Sequence, residues 1–385
     1  MFAERGCGAM KRVTVALLCC FAVFTAVFLA FGNSAGTEER ARELVVQAYA
    51  GKDGVDVSAL SAAMCEVETG RMLFGRNVDA VLPMASTTKI MTALIAIEYG
   101  DMDATTIIGK EAVGVEGSSV YLTEGERFTQ RELLYALLLE SGNDAAVALA
   151  VAVAGDVDSF VALMNEKAAE LGLKNTCFKN PHGLSVEGHH TTAGELTRLT
   201  AYALKLPLFE EVVSTVSITL EGEGHEKRYL VNHNKLLRSY KGLIGVKTGY
   251  TLAAGRCLVT AARRNGMTLV AVTLNDRKDW ADHEAMLDYG FSAFRMERVA
   301  AAGECAAVPV VGGVLPSVLA LCEQDVYLCT PTDSVITRTY SVEAVNAPVR
   351  TGQAIAVLKI YENGTLVEQI PFTAKRDVSI KKKGF

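Results

Sequence analysis

"CLVTAARRNGMTLVAVTL", residues 257–274, sets the architecture. Two apolar-rich runs flank Asn265-Gly266, and Asn-Gly in that setting is a strong local signal for a β-hairpin. Far upstream, "SALSAAMCEVETGRMLFGRN" (58–77) predicts two more strands around the turn ETG. The residues between these strand-rich ends have helical spacing instead. In "TQRELLYALLLE" (129–140), Leu133, Leu134, Leu137 and Leu138 share one helical face. "DVDSFVALMNEKAAELG" (156–172) predicts a helix capped by Asp156 or Asp158 and ended by Gly172. "TTAGELTRLTAYALK" (191–205) is another, and "WADHEAMLDYGFSAF" (280–294) predicts a helix that packs back on the sheet. Strands at both ends with helices between them imply one sheet closed by distant segments around a helical insertion, an α+β fold.

From about Val299 the pattern changes. "AIAVLKIYENGTLVEQIPF" (354–372) is a second Asn-Gly hairpin and no long helix follows, so a small all-β domain is expected there. The 385 residues, half of them hydrophobic, suffice for two cores. A net charge of -6 argues against a nucleic-acid partner. Arg5, Lys11 and Arg12 precede the uncharged run "VTVALLCCFAVFTAVFLAFG" (13–32), which reads as an export signal or a membrane anchor, with the rest of the chain outside. The expected organisation is residues 1–36 as signal or anchor, 37–54 as linker, 55–298 as the main domain and 299–385 as the β-rich domain. Six cysteines lie beyond the apolar segment. Their spacing matches no zinc ribbon or redox pair, and buried thiols are expected; Cys322 and Cys329 are the only close pair.

"PMASTTKIMTALIAIEYG" (83–100) is otherwise a core helix, with Pro83 suited to its first turn and Gly100 to its end. It carries Lys89 three residues after Ser86, so both share a face. Burying an ammonium is expensive. A serine hydroxyl needs a base to become a nucleophile, and a neutral lysine amine can be that base. The motif alone is weak evidence, since it occurs by chance far more often on an ordinary helix surface. Two further elements change its weight: Ser141-Gly142-Asn143 at a helix break, and Lys247-Thr248-Gly249 at the end of an apolar strand. In this order they form the motif set of penicillin-recognising serine enzymes. His182, His189 and His190 do not form a metal-ligand pattern and read as structural, so neither metal nor cofactor is expected.

Over about 60–294 the chain resembles the low-molecular-mass penicillin-binding proteins, which are serine D-alanyl-D-alanine carboxypeptidases. The resemblance rests on "STTKIMTA", "LLLESGNDAAVALA", "NPHGL", "HHTTAGEL", "GVKTGYTLAAGRCLVTAARRNGMTLVAV" and "LDYGF", and more loosely on the β-rich tail. It implies a β-lactamase/transpeptidase-like catalytic domain. Ser86 would be acylated, Lys89 would take and return its proton, and Ser141 would bridge Lys89 and Lys247. Asn143 would bond the substrate peptide, Lys247 and Thr248 would hold its terminal carboxylate, and Gly249 would leave room for it. The N–H groups of Ser86 and Tyr250 would form the oxyanion hole. The implied partners are peptidoglycan stem peptides ending in D-Ala-D-Ala, with β-lactams as covalent inhibitors. The competing expectations are a class A-like β-lactamase, a D,D-endopeptidase and a non-catalytic wall-binding protein. The first would need a carboxylate base in a Glu-Xaa-Xaa-Leu-Asn context, and no such string follows Asn143.

Overall fold

The computed structural model describes residues 55–222 and 224–382, so the apolar segment and linker within 1–54 lie outside the described residues. β1 (Ser61–Glu66) and β2 (Met72–Arg76) form the first hairpin. A 3-10 turn, Ala85–Thr88, leads into α1 (Lys89–Tyr99), which ends at Gly100. Pro83 lies outside this helix rather than in its first turn. Ala85 has φ +48°, outside the right-handed helical range, so α-helical winding begins only after it. A small ribbon of β3 (Thr105–Ile107) and β4 (Arg127–Thr129) follows.

Next come α2 (Gln130–Leu139), α3 (Asn143–Ala154) and α4 (Val157–Glu170). α2 starts with a capping box in which Thr129 and Glu132 satisfy each other's backbone N–H groups. Of the two candidate caps for α4, Asp156 accepts from Ser159 N. Thr192 likewise caps α5 (Ala193–Ala203), and α6 (Pro207–Ser214) follows with its proline in the first turn. A second ribbon, β5 (Ser217–Leu220) with β6 (Arg228–Val231), precedes the long strands β7 (Leu243–Thr251), β8 (Gly255–Arg264) and β9 (Met267–Leu274). Asn265 and Gly266 both have positive φ, as a tight two-residue hairpin turn demands.

The main sheet has the order β2-β1-β9-β8-β7 and is antiparallel throughout. β1 thus pairs with β9, more than 200 positions away, which closes the sheet around the helical insertion. Every residue of β9 is buried. α5 packs against β1 and β9, and α7 (Asp279–Ala293) packs against β8 and β9. Residues 89–96 of α1 are all buried, which explains why its sequence is apolar nearly all round. β7 is an edge strand.

α7 runs without a loop into β10 (Phe294–Ala300), so the expected boundary at residue 298 falls within a strand. β11 (Cys305–Val311), β12 (Ser317–Leu321), β13 (Val326–Pro331), β14 (Ile336–Val342), β15 (Val345–Asn346), β16 (Ala354–Glu362) and β17 (Thr365–Ala374) follow. β10 pairs with β13, and the others form a sheet of order β14-β16-β17-β12-β11-β15. Their own core includes Val299, Leu358, Ile360 and Phe372. Arg71 joins the two regions: its guanidinium donates to both carboxylate oxygens of Glu362 at 3.0 and 2.9 Å and to the Cys329 carbonyl at 2.7 Å. Among the described residues Cys65, Cys257, Cys322 and Cys329 are buried thiols, Cys177 is half-buried and Cys305 is exposed. Cys322 and Cys329 are not bridged.

Candidate active site

The first turn of α1 carries the decisive geometry. Lys89 is fully buried, and its Nζ lies 3.1 Å from Ser86 Oγ, 2.6 Å from Asn143 Oδ1 and 2.6 Å from the His182 carbonyl oxygen. All three partners are neutral. Burial drives the Lys89 pKa well below its ordinary value, the Lys247 charge pushes it further down, and Asp144 partly opposes both. A neutral amine has two N–H bonds and one lone pair. The two carbonyl-type acceptors take both N–H groups, which leaves the lone pair for the Ser86 hydroxyl to donate into. Ser86 itself is half-buried and so within reach of a ligand.

Four loop residues that sequence reasoning did not assign to the site shape it. In "NPHGL" (180–184), Asn180 Oδ1 accepts from Gly183 N at 2.7 Å and folds the turn. The Pro181 carbonyl then accepts from Thr92 Oγ1 at 2.5 Å, and the His182 carbonyl accepts from Lys89. Gly183 has φ +95°, and a Cβ there would sit 2.0 Å from the Ala85 oxygen, so only glycine permits this approach. The signal in the sequence was a turn-forming Asn-Pro with a nearby glycine, but nothing in it named α1 as the surface approached. His182 thus contributes its backbone, while its ring, low in pKa through burial and then the Lys89 charge, stays neutral. His189 is structural: its Nδ1 accepts from Lys179 N at 3.0 Å, so the proton sits on Nε2, 2.7 Å from Thr88 Oγ1.

β7 brings the second set. Lys247 is buried, with Nζ donating to the Thr248 carbonyl at 3.0 Å, and burial lowers its pKa to about 7. Thr248 and Gly249 are half-buried and Tyr250 is exposed. Gly249 is needed for a reason besides ligand access: a Cβ there would lie 3.0 Å from Ser86 N and 3.2 Å from Thr87 N. Its bare Cα lets the edge strand press against the serine's own amide. Among the described residues no strand pairs with the outer side of β7, which suits an extended peptide added along it.

One expectation needs correction. Ser141 is buried at the break before α3, with φ +63°, but its Oγ makes no hydrogen bond and bridges neither lysine. The lysine contact comes instead from Asn143, whose Oδ1 faces Lys89 while its Nδ2 donates to the Glu116 carbonyl at 2.5 Å. Without a ligand, the side chain expected to bind peptide is therefore committed within the site. The cause is reach: Asn143 opens α3 and spans the gap, whereas the shorter Ser141 side chain does not.

Residues 46–278 match the family described as D-alanyl-D-alanine carboxypeptidase, and residues 294–379 match the C-terminal domain of penicillin-binding protein 5. The chain belongs to the D-alanyl-D-alanine carboxypeptidase family. D-alanyl-D-alanine carboxypeptidase DacF of Bacillus subtilis is 33% identical over 88% of this chain and 91% of its own length. The DacC carboxypeptidase of Escherichia coli is 30% identical over 86% and 88%. Among solved structures, penicillin-binding protein 5 of Haemophilus influenzae superposes with TM-score 0.76 at 26% identity, covering 86% of this chain and all of that one. The carboxypeptidase fold, a catalytic domain followed by an all-β domain, is thus the fold of this chain.

Proposed function

We propose that this carboxypeptidase-family enzyme removes the terminal D-alanine from peptidoglycan stem peptides through an acyl-enzyme on Ser86. The observation that carries the reading is Lys89 Nζ, buried among neutral partners 3.1 Å from Ser86 Oγ. As Oγ attacks the carbonyl carbon of the penultimate D-alanine, its proton passes to Lys89 Nζ. The developing oxyanion sits at the Ser86 and Tyr250 N–H groups, each such donor being worth about 2.7–4 kcal/mol. When the tetrahedral intermediate collapses, the C–N bond breaks and the departing amine takes the proton that Lys89 accepted. Water then attacks the ester, returns a proton to Oγ and releases the shortened peptide.

Lys247 and Thr248 meet the substrate's free carboxylate. An incoming anion raises the Lys247 pKa from about 7 and so selects its charged form. The same contacts receive the carboxylate of a β-lactam, which acylates Ser86 and blocks the site. Exported placement, with the 13–32 segment as signal or anchor, completes the proposal, because the substrate is outside the cytoplasm.

Intact-mass measurement after penicillin treatment, with peptide mapping, tests the nucleophile. An adduct on Ser86, absent from Ser86→Ala, is expected together with D-alanine release from a D-Ala-D-Ala peptide. An adduct on another residue, or equal D-alanine release by wild type and Ser86→Ala, overturns the reading. The same mass reports whether residues 1–36 remain.

A further inference from the structure

Asp144 lies outside the motif set, directly after Asn143 in the first turn of α3, and it is completely buried. No cation pairs with it among the described residues. Its carboxylate is satisfied by a loop instead: Ser119 Oγ donates to Oδ2 at 2.6 Å, Val120 N at 3.0 Å and Leu122 N at 3.1 Å, while its own helix supplies Ala145 N to Oδ1 at 2.9 Å. A buried charge held only by dipoles is costly, and such an arrangement persists where the surrounding structure needs it. Between the two loop amides that bind Asp144 stands Tyr121, an exposed aromatic residue with φ +59°. The carboxylate therefore holds the loop in a conformation that its own sequence disfavours.

The same loop meets Asn143. The Ser118 carbonyl accepts from Asn143 N at 2.7 Å, the Glu116 carbonyl accepts from Asn143 Nδ2, and Gly117 passes so close that a Cβ would lie 2.6 Å from Nδ2. An amide has one oxygen and one NH2 end. Because Glu116 claims the NH2 end, the oxygen must face Lys89. Were the loop released, the amide could turn and present N–H to an amine that already donates two.

We propose that Asp144 is a positioning residue of the acylation step: by clamping residues 116–122 it fixes the orientation of the Asn143 amide and, through it, the lone pair of Lys89. This inference rests on Lys89 being the base of the proposed function. Three charged or titratable groups face Lys89: Lys247 from β7, the His182 ring from the 180–184 loop, and Asp144 from α3. Only Asp144 is an anion. Its loss therefore makes Lys89 harder to protonate, besides loosening the loop.

The test is Asp144→Asn, which preserves shape and removes the charge. The readouts are the second-order rate of acylation by a fluorescent penicillin from pH 4 to 9, amide exchange at Val120 and Leu122, and thermal unfolding. The expected result is a 10- to 100-fold slower acylation at pH 7, faster exchange at both amides, and an acid limb of the rate profile moved to lower pH. Unchanged acylation overturns the proposal, and so does a slowing equal at every pH with no moved limb, which a purely structural role would give. If Asp144→Asn does not fold, Ser119→Ala decides: acylation about 3-fold slower with faster loop exchange supports the clamp, and a wild-type rate overturns it. Wild type acylated on Ser86 but insensitive to these substitutions sinks this inference alone, whereas wild type without a Ser86 adduct sinks the function on which it rests.

Discussion

The two ends of helix α1 each meet a buried amine, and they treat it in opposite ways. At the C-terminal end, Glu98 receives Lys167 of α4 at 2.8 Å, and Glu170 adds a second contact at 2.7 Å. Burial alone would pull the Lys167 pKa down, but the two carboxylates overcome it and raise the value above normal. At the N-terminal end, Lys89 is buried more deeply and meets only an amide oxygen, a carbonyl and a hydroxyl. Its pKa falls because burial has no carboxylate in contact to offset it, and Lys247 adds repulsion. One helix thus separates a lysine that holds structure from one poised to accept a proton, and the difference lies in the partners together with the deeper burial of Lys89.

The sharpest way to break this comparison is to truncate both amines. Lys89→Ala should slow penicillin acylation of Ser86 by ~10²–10⁴-fold, the usual contribution of a general base. The melting temperature should fall less than in Lys167→Ala, because removing Lys89 strands neutral acceptors and no carboxylate. Lys167→Ala should do the reverse, losing about 1–3 kcal/mol of stability by stranding Glu98 while acylating within twofold of wild type. Calorimetry beside stopped-flow acylation reads both; a Lys89 variant that is mainly unstable would undo the contrast.

Next in size is Lys247→Gln. A D-Ala-D-Ala peptide with a free carboxylate should lose about 100-fold in kcat/KM, equivalent to ~2.7 kcal/mol, whereas a C-terminally amidated peptide should change little. Equal losses for both would show that Lys247 does not read the carboxylate.

A pH effect is expected to be smaller. The Lys247 amine must be charged to bind an anion, and burial sets its pKa at about 7, so KM should rise as pH increases through that value. Lys89 must be neutral, and burial with the Lys247 charge lowers its pKa well below the ordinary lysine value, so the acid limb of the rate belongs to Lys89. Stability runs the other way. A lysine depressed in the fold binds fewer protons folded than unfolded, so stability grows with pH from about 7 toward the unfolded value of about 10.4. Lys247→Gln should flatten that slope in melting curves taken across the range.

The smallest effect concerns a buried acid just after β9, bonded to the start of the catalytic domain. Asp276 accepts from Ser58 Oγ at 2.7 Å, and burial raises its pKa. A carboxyl raised in the fold contributes stability at low pH that disappears as pH climbs through the folded value. Asp276→Asn, which mimics the protonated acid, should therefore raise the melting temperature at pH 8 by about 2–4 °C and leave it unchanged near pH 3. A lower value at pH 8 would mean that the charged form is stabilising.

Much of this was legible in the chain of letters. The Asn265-Gly266 hairpin, a cap at Asp156 or Asp158, and the order Ser86-Lys89, Ser141-Asn143, Lys247-Gly249 follow from local backbone chemistry and from residue types whose chemistry is intrinsic. The sequence by itself determined which side chains can exchange protons and on which kind of element each rides. Only the tertiary structure decided who meets whom. Ser86 and Lys89 are three positions apart and meet by helical geometry alone, but Asn143 and His182 reach the same amine from 54 and 93 positions away. Their meeting depends on how α3 and the 180–184 turn pack on α1. The amine is left without a carboxylate partner, and Ser141 without the expected bridge, for that reason: long-range packing fixes distances of a few ångströms, and spacing along the chain does not encode them.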